Sequence, residues 1–570
     1  MASDDLLLSL LWSVPMGGAI AVLLLPGRAT RAIKGIAVGT TAVTLLLTLV
    51  AFGSYRNLDP ARASLSARAS ANPLPGGGAV AAEGDLVVRH PWIPDFRIEY
   101  YLGVDGISLA LLLLTSLVAL LACLASWNVD VKVKGYFSLF LLLTSSLMGV
   151  FLALDLVLFY VFFEVMLLPM YFLIALWGGD RREYAAIKFL LYTLFGSVFI
   201  LVGILALYFW PGDAASALGG EAFRAHTFDA VRLARAASET GYYGIGIQRW
   251  VFGLMFLGFC VKLPSFPFHT WLPDAHVEAP TPISMVLAGV LLKIGGYGLI
   301  RLAWPLAPAG AHDWAYPVAA LGVFNILYGA LAAMAQTDFK KLVAYSSISH
   351  MGYVTLGMAA MNLAGDRRLY AYGVDGAMFM MIAHGITATG MFFLVGVIYD
   401  RARTRDLDAL GGLAGPMPRF YFASALIFFG SMGLPGLCGF VAEVFVILAC
   451  FNYDPALAVG AAFAVVLTAG YVLWALRRVF GGRNDSLAGL PDLDRREIVI
   501  LGPMVILTVL LGVYPRSVLD WMAPSTDSVA RAIFEARGNR PVPAAAFPTG
   551  APVPDRQARD PAEVAEVPGR

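Results

Sequence analysis

Six ionisable residues lie inside runs of otherwise apolar sequence, and their types are those that exchange protons. Glu164 sits in FYVFFEVMLLPMYFL and Lys262 in CVKLPSFPF; Lys293 lies in MVLAGVLLKIGGYGLI. His350 follows in AYSSISHMGYVTLGM, His384 in MFMMIAHGITATGMFFL and Glu443 in LCGFVAEVFVILAC. Placing one charge at the centre of a membrane helix costs roughly 2.5–3.5 kcal/mol. A set of such residues therefore needs a use, either as neutralising pairs that fix helix register or as a proton path. Desolvation disfavours the charged form of an amine, and a nearby carboxylate favours it. A buried lysine beside a carboxylate that moves or is protonated thus switches between holding and releasing its proton, and the two titrate as a pair. Glu164 and Lys262 are the candidates for this coupling. Pro264 removes a backbone hydrogen bond two residues after Lys262, and the freed carbonyls can hold water along a path.

The weaker signals are read more plainly. Lys188 lies one turn inside a span edge and can snorkel. His269, Asp274 and His276 lie at one end of a span, where a structural or gating role is expected. Cys123, Cys260, Cys438 and Cys450 fall in apolar runs at no metal-ligand or iron–sulfur spacing and read as inert thiols.

The elements that must carry these residues are membrane helices. The 570-residue chain is 59% hydrophobic and only 14% charged, against roughly 25% charge in soluble domains. Its net charge of +1 gives no reason to expect a nucleic-acid partner. Runs of about 20 apolar residues cross the hydrocarbon layer and satisfy their own backbone only as helices. The pattern predicts an all-α integral membrane protein of about 14 transmembrane helices. They are expected at 5–25, 32–53, 104–126, 135–154, 156–177, 185–210, 248–272, 281–303, 314–335, 341–361, 373–399, 420–450, 456–476 and 498–520. The first apolar stretch reads as a span and not as a cleavable signal.

LPSFPF at 263–268 and LPGLCGF at 434–440 interrupt the seventh and twelfth spans, five apart. An odd-numbered repeat inserts the opposite way up, so spans four to eight and nine to thirteen read as two inverted five-helix repeats, each containing one broken helix. The expected division is 1–103 for the first spans and a loop, 104–134 for the third span, 135–303 and 304–480 for the two repeats, 481–523 for the last span and 524–570 for a disordered tail. Loop 54–100 ends in LVVRHPWIPDFRIEYYL, a possible hairpin, and 211–247 has room for one surface helix. Lys and Arg crowd the short loops of one side, whereas the short loops of the other side hold only Arg301, Arg367 and Arg368. The first side is therefore expected to be cytoplasmic, with both termini and both long loops outward.

Three stretches carry a resemblance: VKLPSFPFHTWLPDAHVEAPTPISMVLAGVLLKIGGYGLIR, AQTDFKKLVAYSSISHMG and LGVDGISL. Over about residues 100–480 the chain resembles the M subunits of proton-pumping NADH:quinone oxidoreductase (respiratory complex I). Their mitochondrial counterpart is NADH dehydrogenase subunit 4, and their wider kin include the L and N subunits and Mrp-type antiporter subunits. The resemblance implies that Glu164 is the fifth-helix glutamate, Lys262 the broken-helix lysine and Lys293 the linking lysine. It implies relay positions at His350 and His384 and the second broken-helix glutamate at Glu443, where L and N subunits place lysine. It implies a translocase subunit without redox chemistry of its own, holding no cofactor or metal. NADH, FMN, iron–sulfur clusters and quinone would belong to partner subunits, with the L and N subunits as neighbours in a bacterial cytoplasmic membrane. An antiporter subunit of Mrp type, or a subunit of a membrane-bound hydrogenase, is the alternative.

Overall fold

The computed structural model describes residues 3–59, 63–65, 85–210, 226–239, 243–360 and 367–536. Among these, twelve helices are long and apolar enough to cross a membrane. Two more traverses complete the expected fourteen: the less apolar helix Phe339–Ala359, and the interrupted pair Pro418–Ser431 and Cys438–Tyr453. Recurrent aspartates start the spans. Asp105, Asp155, Asp338, Asp454 and Asp494 each accept hydrogen bonds from first-turn backbone amides, satisfying donors that a helix start leaves open. Asp494 and Glu497 form a reciprocal capping box, and Glu497 also takes both Arg401 amino groups at 2.9 and 2.7 Å, which ties the eleventh span to the fourteenth.

The spans sort by burial. The central stretches of the eighth (Thr281–Leu306) and eleventh (Leu369–Ala402) are enclosed by their neighbours. The first, second, thirteenth and fourteenth keep broad apolar faces outward, as at Leu46, Val50, Val466 and Ile506. The two enclosed helices carry Lys293 and His384. A polar group there is held by protein, and lipid has no access to it.

The seventh span runs as Ile245–Lys262, an irregular stretch, then Trp271–Glu278. Its break is satisfied from inside the protein. Trp271 Nε1 donates to Val261 O at 2.8 Å, Phe266 N donates to Asn325 Oδ1 at 2.8 Å, and His269 Nε2 meets the Tyr328 hydroxyl at 3.0 Å. In the twelfth span the chain turns through Gly433 and Gly436, whose φ values of 78° and 90° lie where side chains are strained.

The hairpin in loop 54–100 is present as strands Val87–Ile93 and Ile98–Gly103, antiparallel, with Val87 opposite Gly103. The 211–247 connection carries the helix Ala230–Glu239. Most of the insert ASLSARASANPLPGGGAVAAEG and residues 537–570 lie outside the described residues.

Two expectations need correction. The fourteenth span ends at Val513, before Pro515, and not near 520. The stretch from 524 is not uniformly tail: a helix runs Arg516–Glu535 and buries Met522, Ser525, Thr526, Val529, Ala530 and Ile533. That three-and-four spacing is a helical face, with Thr526 donating to Asp375 Oδ1 at 2.5 Å. Its charged opposite face and Pro524 hid it in the composition.

Candidate proton-transfer site

The six residues fall into two groups. The first is Glu164 with Lys262. Lys262 is the last residue of its helical segment and is 1% exposed. The open carbonyls of a helix end favour a cation there by roughly 0.3–1 kcal/mol. Its Nζ lies over the Phe163 and Phe189 rings, 5.4 and 5.2 Å from their centroids. Among the described residues it has no hydrogen-bond partner. The expected Glu164–Lys262 pairing therefore takes a different form. The two are within electrostatic reach, but they make no direct ion pair, because the phenyl faces occupy the space around the ammonium. Glu164 is half-buried, with Oε1 buried and unpartnered beside Tyr160. A kink at Met166 divides the fifth span into Leu156–Val165 and Leu167–Trp177 directly after it. Pro169 lacks the amide that would bond the Val165 carbonyl, so the ladder opens at this point.

The second group is a line through the centre. Lys293 is fully buried. Its Nζ donates to Ala288 O at 2.5 Å and meets His384 Nδ1 at 2.7 Å. This lysine–histidine contact is satisfied whichever partner holds the shared proton, which is the condition for passing it. The His384 and His350 rings lie 5.4 Å apart, centroid to centroid. His384 Nε2 and His350 Nδ1 have no partner among the described residues. His350 Nε2 donates to the carbonyl of Ser431 at 2.9 Å, at the second break. Two residues on, the bend at Gly433 holds the carboxylate of Glu443, which is 2% exposed with Oε2 unpartnered. Tyr353 and Tyr471 lie within electrostatic reach of that carboxylate.

The sequence reading missed the backbone device around Lys293. Segments Leu287–Leu291 and Leu299–Ala303 are wound as π-helix on either side of it. The wider turn shifts hydrogen bonding to the fifth residue back, and Ala288, five before Lys293, offers its carbonyl to the ammonium. Such bulges recur at functional positions. No composition signal marks them.

The two groups meet through packing. A Cβ on Gly295 would come within 2.6 Å of Leu263 N and 2.8 Å of Leu263 Cβ. The glycine two residues past Lys293 thus admits the backbone next to Lys262. Gly295→Val is expected to push the two helices apart at the break and to lower assembly of the complex on a native gel. A variant that assembled and pumped normally would show the close approach to be dispensable.

Two helices broken five spans apart, around a buried line of lysine, histidine and carboxylate, define a membrane subunit of the antiporter-like class. Residues 153–468 match the family described as "NADH:quinone oxidoreductase/Mrp antiporter, TM". The chain is 40% identical over 528 residues to NADH-quinone oxidoreductase subunit M of Rhodobacter capsulatus, covering 91% of this chain and 95% of that one. A chain of respiratory complex I from Thermus thermophilus superposes with a TM-score of 0.76 at 29% identity, covering 92% of this chain and 99% of that one. A chain of the Mrp complex from Dietzia shares the fold, with a TM-score of 0.71 at 20% identity over 94% of this chain and all of that one. The chain belongs to the NADH:quinone oxidoreductase/Mrp antiporter family of membrane subunits, on the subunit M branch.

Proposed function

We propose that this chain is the proton-translocating M-type membrane subunit of an NADH:quinone oxidoreductase. It moves protons through Glu164, Lys262, Lys293, His384, His350 and Glu443, driven by electron transfer in partner subunits. The Lys293–His384 contact carries the reading: a buried amine and imidazole share one hydrogen bond, with a second imidazole next in line. Structural pairing alone would favour a carboxylate opposite the lysine. The lysine here faces an imidazole, which can accept a proton at one nitrogen and release one from the other.

The two halves, 135–303 and 304–480, each supply a broken helix, and the relay crosses between them. NADH, FMN, iron–sulfur clusters and quinone are proposed to belong to partner subunits. The outward apolar faces suit lipid and neighbouring membrane subunits, with L- and N-type chains as the neighbours proposed. We place the chain in a bacterial cytoplasmic membrane, and the bias of Lys and Arg in the short loops supports an orientation with both termini outward. Glutamate at 443 supports the M-type reading over an antiporter or hydrogenase subunit.

Lys262→Ala tests the assignment in membrane vesicles. The expected result is an assembled complex that oxidises NADH with an artificial acceptor, while NADH-driven proton uptake falls by about tenfold or more. Near-normal uptake by the assembled variant would remove Lys262 from the path.

A further inference from the structure

Among the described residues, the relay above leaves two buried histidines unused, His269 and His276; His269 bonds the Tyr328 hydroxyl, whereas His276 bonds nothing through its ring. It lies in the second half of the broken seventh helix, is 0% exposed, and both of its ring nitrogens lack a partner among the described residues. A buried imidazole with neither nitrogen bonded forfeits the hydrogen bonds it would make in water, so a purely structural reading leaves its cost unexplained. What it does contact is Phe392: the rings stack at 4.2 Å with a 9° tilt.

Its surroundings have a direction. The three residues after it, Val277 to Ala279, line a cavity of about 590 Å³ on the side rich in Lys and Arg. Glu278, Lys340, Asp400 and Arg405 make that cavity polar. Phe393 and Gly396, one and four residues beyond the stacked Phe392, line it too. In the opposite direction along the same helix, His384 lies eight residues from Phe392, roughly 12 Å at helical rise. His276 is within electrostatic reach of Lys340 at the cavity and of Lys293 and His384 at the centre. On the helix that carries both Phe392 and His384, Thr389 falls between them in the chain; its hydroxyl donates to Gly385 O at 2.6 Å and lies 3.4 Å from Met285 O, two residues before the π-wound segment begins.

We propose that His276 is the uptake relay that passes protons from this cavity to the Lys293–His384 pair. A proton from cavity water binds one ring nitrogen. The other nitrogen then releases its own proton toward His384 by way of the Thr389 hydroxyl and intervening water. The imidazole ends neutral, and one proton has moved inward. Ring rotation or tautomer exchange resets it, and stacking on Phe392 keeps the ring in plane while leaving both nitrogens free.

This inference rests on the proposed role of Lys293 and His384, so the test carries both. Vesicles with the whole complex are compared for wild type, His276→Phe, His276→Ala and Lys293→Ala, reading protons moved per NADH oxidised and assembly on a native gel. His276→Phe keeps a ring to stack on Phe392 but cannot carry a proton. It is expected to assemble and lose about threefold or more of its pumping. Millimolar imidazole, admitted through the cavity, is expected to restore His276→Ala but neither His276→Phe nor Lys293→Ala. An assembled His276→Phe complex pumping at the wild-type ratio overturns the proposal. If that variant fails to assemble, His276→Ala decides, and indifference to imidazole overturns it. Normal pumping by Lys293→Ala would instead sink the central relay.

Discussion

Lys293→Arg is expected to assemble and to abolish proton pumping, while Lys293→Ala loses both pumping and part of its assembly. The two outcomes separate charge from transfer. Alanine leaves Ala288 O and His384 Nδ1 buried without the amine that meets both. Each buried polar group so orphaned costs about 1–3 kcal/mol, enough to weaken the packing of the enclosed eighth helix. Arginine keeps a cation against both acceptors, but a guanidinium does not give up its proton in proteins. It can hold the place of the lysine without passing anything on. Gln in the same position keeps a donor without a charge and is expected to be equally silent. The measurement is proton uptake per NADH in inverted vesicles, with NADH oxidation by an artificial acceptor as the control for intact partner subunits. A Lys293→Arg complex that pumps at the normal ratio would mean that a fixed charge suffices, and the relay at this position would be refuted.

How much of this was legible beforehand depends on what kind of signal each feature leaves. A buried lysine, histidine or glutamate announces itself in a run of Leu, Val and Phe, because the surrounding composition is so uniform; all six were visible that way. Prolines and glycines marked both breaks, since backbone that cannot continue a helix has few residue types to use. The arrangement of the six was less legible. Glu164 and Lys262 read as a pair, yet the fold sets the Phe163 and Phe189 faces around the ammonium. Aromatic side chains in a hydrophobic span look like packing until their orientation is known. The π-turns beside Lys293 depend on how the eighth helix seats against the third and eleventh, and nothing local in LAGVLLKIGG specifies them. His276 was read as structural or gating from its place at the end of a span; what sets it apart is that neither ring nitrogen has a partner among the described residues. The helix Arg516–Glu535 was missed for the opposite reason. Its apolar stripe is regular, but half its residues are polar, and composition outweighed period.

The line from Lys293 to the second break also gives the path a sense. Ser431, whose carbonyl accepts from His350, and Gly433, whose bend encloses the Glu443 carboxylate, are two residues apart. A histidine and a carboxylate are thus joined through one short piece of non-helical backbone. Such backbone inside a membrane protein is tolerated where protein or water satisfies it, and here His350 supplies one of the missing donors. Movement at this bend would alter the His350 contact and the Glu443 site together.

Glu443→Gln is expected to give an assembled complex that oxidises NADH with an artificial acceptor but pumps poorly, because the last buried proton site before the outward side is lost. Glu443 lies five residues into Cys438–Tyr453, the half of the twelfth span that leads outward under the proposed orientation. At 1.5 Å per residue its backbone is about 7.5 Å past the start of that helix, and its carboxylate reaches back into the Gly433 bend, two residues after the Ser431 carbonyl where the histidine line ends. Its Oε2 has no partner among the described residues, so no fixed cation holds it charged and it is free to take and release a proton. Glutamine fills the same space within the Gly433 bend and keeps a polar terminus, but an amide carries no exchangeable charge at neutral pH. Glu443→Lys keeps a titratable group and is expected to retain part of the activity, since the resemblance to L and N subunits implies lysine at this position. The longer side chain must then leave the bend that the carboxylate now fills, which sets the cost of the swap. Protons pumped per NADH in vesicles distinguish these outcomes, with assembly checked on a native gel. An assembled Glu443→Gln complex pumping at the normal ratio would refute the exit role.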